Sequence, residues 1–86
     1  MAVMSQAKGR VMRVLTERLK GRELDLLDGI KVFEPNGWVQ ALPDPDEPLL
    51  HIYAEGETDE DSNELEGQMR ALVEEILQED SVEART

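Results

Sequence analysis

The sequence predicts an α+β domain in which two helices cover one face of a small antiparallel sheet. Three observations predict it. Apolar residues recur at helical spacing near both ends of the chain, and three short extended runs lie between them, separated by turn chemistry. The length, 86 residues, allows one core. That core must be aliphatic, because only Phe33, Trp38 and Tyr53 are aromatic.

The first element is a helix over Ser5–Lys20. Met4, Ala7, Val11, Val14, Leu15 and Leu19 recur at three- and four-residue steps, the signature of one apolar face. Ser5 is the expected cap and Gly21 the expected left-handed residue after the end. Arg18 and Lys20 fall near the negative pole of the helix. Met1–Arg22 holds six basic residues against the single acid Glu17, whereas the rest holds nineteen acids against three bases. A start and stop signal of this kind marks a packing or linker helix over residues 1–22, not a frayed basic arm.

Leu24, Leu26 and Leu27 lead into Asp28-Gly29, a turn signal. Ile30–Glu34 is β-branched and aromatic and reads as a strand. Pro35-Asn36-Gly37 supplies a turn, and Trp38–Leu42 resumes the extended pattern, which makes a hairpin. Pro43-Asp44-Pro45-Asp46-Glu47-Pro48 cannot continue it, since three prolines remove three backbone donors. It is read as a stiff, acidic, exposed loop. Leu49–Ala54 forms the next strand, with Leu50 and Ile52 facing one way and His51 and Tyr53 the other.

The last helix is capped by Thr58, and Asp59, Glu60 and Asp61 place negative charge in its first turn. Leu65, Met69, Leu72, Val73 and Ile76 form its apolar stripe. The domain proper is assigned to residues 23–80, with a polar, flexible tail over 81–86.

Most chemistry is excluded by what the chain lacks. It has no cysteine and a single histidine, His51, so thiolate sites, Cys nucleophiles and multi-histidine metal sites have no residues to use, and His51 sits inside a strand without a nearby Ser in sequence, which rules out a Ser-His-Asp triad. No glycine-rich phosphate-loop pattern occurs. Asp59–Asn63 imitates the start of a calcium loop, but its sixth position is Glu64 where glycine is needed, and its twelfth is Arg70 where a bidentate glutamate is needed. Asp44, Asp46 and Glu47 are read as a solvated acidic loop before they are read as a cation site. A net charge of −11 opposes nucleic-acid binding. No run approaches the ~18 apolar residues of a membrane span. The start lacks a secretory apolar stretch, so a cytoplasmic setting is expected.

The stretch Asp28-Gly29-Ile30-Lys31-Val32, Gly37-Trp38-Val39, Leu42–Leu50 and Tyr53-Ala54-Glu55 resembles the C-terminal domain of the phosphoglucomutase/phosphomannomutase family. The resemblance extends over residues 28–77. It implies a small domain with a TATA-binding-protein-like fold that closes over an active-site cleft. In the family, a loop written RPSGTEP holds the substrate phosphate, while the phosphoryl-carrying serine and the magnesium ligands lie in earlier domains. The resemblance therefore assigns no catalytic residue, metal or cofactor to this chain; a parent enzyme would need Mg²⁺ and would supply the other domains as partners. The candidate phosphate loop is Pro43, Asp44, Pro45, Asp46, Glu47 and Pro48. Pro43, Glu47 and Pro48 keep the family frame, but Leu42 stands for arginine, Asp44 for serine, Pro45 for glycine and Asp46 for threonine. The loop has lost its cation and gained two carboxylates, each opposing a phosphate by on the order of 1 kcal/mol per close pair even in water. It is read as degenerate. The LPD-x-x-EP form, preceded by Lys8-Gly9-Arg10-Val11-Met12-Arg13, is similar to a branch fused behind mannose-1-phosphate guanylyltransferase-type enzymes. A non-catalytic domain of such a protein is the reading preferred here over a working cleft-closing domain or a free-standing acidic interaction module. Its oligomeric state is left open.

Overall fold

The structure, a computed structural model, describes the backbone of residues 1–85 and the side chains of residues 1–79. A 3-10 turn, Ser5–Ala7, leads into helix α1, Lys8–Arg18. Four strands follow, β1 Leu24–Asp25, β2 Ile30–Glu34, β3 Gly37–Pro43 and β4 Leu50–Gly56, and then helix α2, Asp59–Arg85. The sheet is antiparallel throughout, in the order β1-β2-β3-β4. The α+β class and the covering of one face by both helices agree with the expectation.

Both helices press onto the same face of the sheet. Val11, Leu15 and Leu19 from α1 and its end join Leu65, Met69, Val73 and Ile76 from α2. Ile30, Val32, Val39, Ala41 and Leu50 meet them from the sheet. Each large aliphatic side chain buried there contributes about 1.5–3 kcal/mol against leaving it in water. The apolar stripe of α1 therefore serves the domain's own core.

Three local expectations are corrected. Ser5 does not cap α1: it opens the 3-10 turn, and α1 begins at Lys8 without a side-chain cap. Met4 is exposed, and Val3 takes the buried place instead. The reason is a pairing invisible to helical periodicity. Residues 1–3 run alongside the start of β4, with Ala2 opposite Leu49 and the Val3 N–H donating to the Pro48 carbonyl at 2.9 Å. Leu24-Asp25, read as a lead into a turn, forms the short edge strand β1 opposite Val32 and Lys31. α2 is helical through Arg85; the side chains of residues 80–86, on which the expected polar tail falls, lie outside the described residues.

The turns agree with their chemistry. Gly29 and Gly37 have positive φ, 65° and 148°. A Cβ on either would meet a carbonyl oxygen, Ala41 O at 2.2 Å or Glu55 O at 2.1 Å, so only glycine fits. Thr58 Oγ1 accepts the Asp61 N–H at 3.1 Å and caps α2 as expected.

Candidate functional site

The six loop residues lie together at one end of the sheet. Pro43 ends β3, Asp44 is half-buried, and Pro45, Asp46, Glu47 and Pro48 are exposed. The loop is closed from within. The Asp44 N–H donates to the Leu49 carbonyl at 3.0 Å, and the Leu49 N–H to the Glu47 carbonyl at 2.8 Å. Asp44 Oδ1 accepts the N–H groups of Asp46 and Glu47 at 2.9 and 2.8 Å. Its other oxygen, Oδ2, meets His51 Nε2 at 2.9 Å. The His51 contact, followed by the two amides, holds the Asp44 carboxyl well below the usual carboxylate range.

A cation does reach this loop, from a distant part of the chain. Lys8, at the start of α1, donates to the carbonyl oxygens of Asp44 and Glu47 at 2.6 and 2.8 Å. Its ammonium bonds two backbone oxygens and so braces the loop against the helix. The spacing of 36 residues between Lys8 and Asp44 gave no sequence signal for this. The Asp44 amide bonds did have one: aspartate two and three residues before bare N–H groups, among prolines, is ordinary turn chemistry.

Beyond His51 lies the face of the sheet that no helix covers. The register places Phe33, Trp38 and Glu55 in one row across it, Lys31, Gln40 and Tyr53 in the next, and Leu42 with His51 in a third. Every aromatic residue of the chain is on this face. The His51 and Tyr53 rings stack at 6.1 Å, 20° from parallel. The Lys31 ammonium stands 4.1 Å from the Trp38 ring centre and 5.8 Å from that of Phe33. This clustering was only partly expected, for His51 and Tyr53.

The apolar cavity between the helices, lined by Leu19, Val32, Val39, Met69 and Leu72, measures about 120 Å³, well under the roughly 300–1,000 Å³ of ordinary ligand pockets. Arg22 and Glu34 pair across its mouth. Among the described residues, no three His, Cys, Asp or Glu side chains converge to hold a metal ion. Among the described residues, no helix is long and apolar enough to cross a membrane.

An order of elements, a loop in this position and a four-stranded sheet with one free face suit a small phosphohexomutase C-terminal domain. The chain is 33% identical over 76 residues to a probable phosphoglucosamine mutase of Methanopyrus kandleri. That match relates it to the phosphohexomutases. It takes in 86% of this chain and 17% of the relative, so the chain spans about a sixth of that protein's length. No protein-family model matches the chain.

Proposed function

We propose that the chain is a non-catalytic C-terminal domain of a longer sugar-phosphate protein, either phosphohexomutase-like or fused to a mannose-1-phosphate guanylyltransferase-type enzyme of nucleotide-sugar metabolism. In this reading the loop Pro43–Pro48 is a structural brace and no longer a phosphate grip. One observation carries it. The groups a phosphate would need are already engaged: the Asp44 carboxylate takes the Asp46 and Glu47 amides, and Lys8 is bonded to the Asp44 and Glu47 carbonyls. A phosphate site needs donors or cations converging on free oxygens, and here an internal carboxylate stands in the ligand's role. Asp46 and Glu47 add charge of the wrong sign beside it.

The chemistry, the phosphoryl-carrying group and Mg²⁺ belong in this reading to other domains of the parent, which are also the domain's partners. Isothermal titration of the chain with mannose 1-phosphate and glucose 1-phosphate tests it, with Asp44→Ser beside the native loop. The expected result is no saturable heat for the native chain. Micromolar binding that Asp44→Ser leaves unchanged would overturn the proposal in favour of a working cleft-closing loop.

A further inference from the structure

We propose that Asn36 is a self-modification site: it loses its side-chain amide through a cyclic imide with Gly37, and the product releases the β2–β3 turn from α2. Asn36 and Gly37 form an Asn-Gly pair at a surface turn in which Pro35 is exposed and Asn36 half-buried. Asparagine is thermolabile, and ring closure asks least where the attacking nitrogen belongs to a residue without a side chain. In the first step the Gly37 nitrogen gives its proton to hydroxide and bonds to Asn36 Cγ. The Cγ–Nδ2 bond breaks, and the nitrogen leaves as ammonia with a proton taken from water. Water then opens the five-membered ring. Attack at Cγ gives aspartate. Attack at the main-chain carbonyl gives isoaspartate, whose backbone runs through the side chain and is one methylene longer.

The fold holds this pair in place. A Cβ on Gly37 would stand 2.1 Å from the Glu55 carbonyl oxygen and 2.7 Å from Gly56 Cα. The residue that best permits ring closure is therefore the one the turn requires. The turn stands at the end of the sheet away from Met1–Val3: Gly37 pairs with Gly56, whereas residues 1–3 lie beside Leu49 and Leu50. The chain's other asparagine, Asn63, lies inside α2 and precedes Glu64. There the following nitrogen is fixed in helical geometry and carries a side chain, so Asn63 is an internal reference. Asp28-Gly29 passes through the same ring, but water only restores or isomerises the aspartate there, and its mass does not change.

The present bonds of Asn36 set both the rate and the consequence. Its Nδ2 donates to Asp61 Oδ1 at 3.1 Å, and its main-chain oxygen accepts the Glu57 N–H at 3.1 Å. These bonds restrain the amide, so closure is slower than in a free peptide. Once the amide is a carboxylate, the donor to Asp61 is gone and two like charges face each other across the same gap. Glu55 and Glu57 line the adjoining groove and add to the repulsion. The isoaspartyl form also lengthens the two-residue connection between the paired Glu34 and Gly37. That displaces the carbonyl that Glu57 holds. Both products detach the turn from the start of α2.

The test incubates the full chain at pH 8 and 37 °C beside the blocked peptide acetyl-Glu-Pro-Asn-Gly-Trp-amide, followed by peptide mapping with mass spectrometry. The expected result is amide-to-acid conversion at Asn36, slower than in the peptide, giving aspartyl and isoaspartyl products, with Asn63 unchanged. Asp61→Ala frees the amide and should speed conversion by about two- to tenfold, the worth of one hydrogen bond. Asn36→Asp carries the product charge from the start and should unfold at lower urea than the native chain. Adding Asp61→Ala to it should recover part of that loss, an arm that decides without any incubation. Asn36 intact after ten half-lives of the peptide, equal conversion at Asn63, a rate unmoved by Asp61→Ala, or an Asn36→Asp chain as stable as the native one would each overturn the proposal.

Discussion

The two connections that flank β3 solve the same problem by different physics. The β2–β3 turn is held by shape: a Cβ on Gly37 would stand 2.1 Å from the Glu55 carbonyl oxygen, so only glycine lets the chain pass here. Asn36 anchors it to α2 by donating to Asp61 Oδ1 at 3.1 Å. The β3–β4 loop is held by charge, through the Asp44 carboxylate and the Lys8 ammonium. A connection held by shape should ignore pH and salt. One held by charge should not, and the backbone N–H groups of Asp44, Asp46, Glu47 and Leu49 are all already bonded within the loop. That contrast explains how a loop with three prolines and three acids is ordered by its own groups.

The predictions break the two connections separately. Gly37→Ala should be the most damaging, costing on the order of 3 kcal/mol, because both the positive φ and the backbone clash must be relieved. Urea unfolding followed by circular dichroism measures it, and a loss under 1 kcal/mol would mean the turn is softer than described. Lys8→Met keeps the aliphatic stem and removes two bonds to loop carbonyls, one of them exposed. It should cost about 1 kcal/mol after allowance for solvent screening, and less at high salt than at low.

Asp44→Asn tests the other half of the brace through pH. The folded-state carboxyl of Asp44 titrates below its ordinary value near 3.8. Its contribution to stability is therefore full above that value and lost as pH falls below it. Denaturation midpoints of the native chain should drop on acidification from pH 5 to pH 3 more steeply than those of Asp44→Asn. Parallel slopes would show that the carboxylate does not brace the loop. The smallest effect belongs to Arg70→Gln, which removes an exposed pair with Glu66 one helical turn away. It should change stability by about 0.3 kcal/mol, and serves as the control for a charge lost far from either connection.

Much of the scaffold was legible because it rests on periodicity. The stripes of α1 and α2, the hairpin over Ile30–Leu42 and the inward side of Leu50 follow from spacing and turn chemistry. The structure buries Val11, Leu15, Leu19, Ile30, Val32, Val39, Leu50, Leu65, Met69, Val73 and Ile76 together, while Met4 is exposed. What spacing missed has short or distant causes. β1 has two residues, too few for alternation to register, and is a strand only because β2 lies beside it. The pairing of residues 1–3 with β4 joins positions almost fifty residues apart and displaced the expected Ser5 cap. In the loop, the loss of the family cation was visible in the residues, but Lys8 arriving from another element to bond carbonyls was not. Nor was the gathering of Phe33 and Trp38 with Tyr53, which needs the register of three strands.

The most direct measurement follows the amide resonances of Asp46 and Glu47 in the ¹⁵N-labelled chain as glucose 1-phosphate is added at neutral pH. With both N–H groups bonded to the Asp44 carboxylate, the two signals should stay in place through millimolar ligand in the native chain. Saturable movement of both at micromolar ligand would contradict an internally satisfied loop.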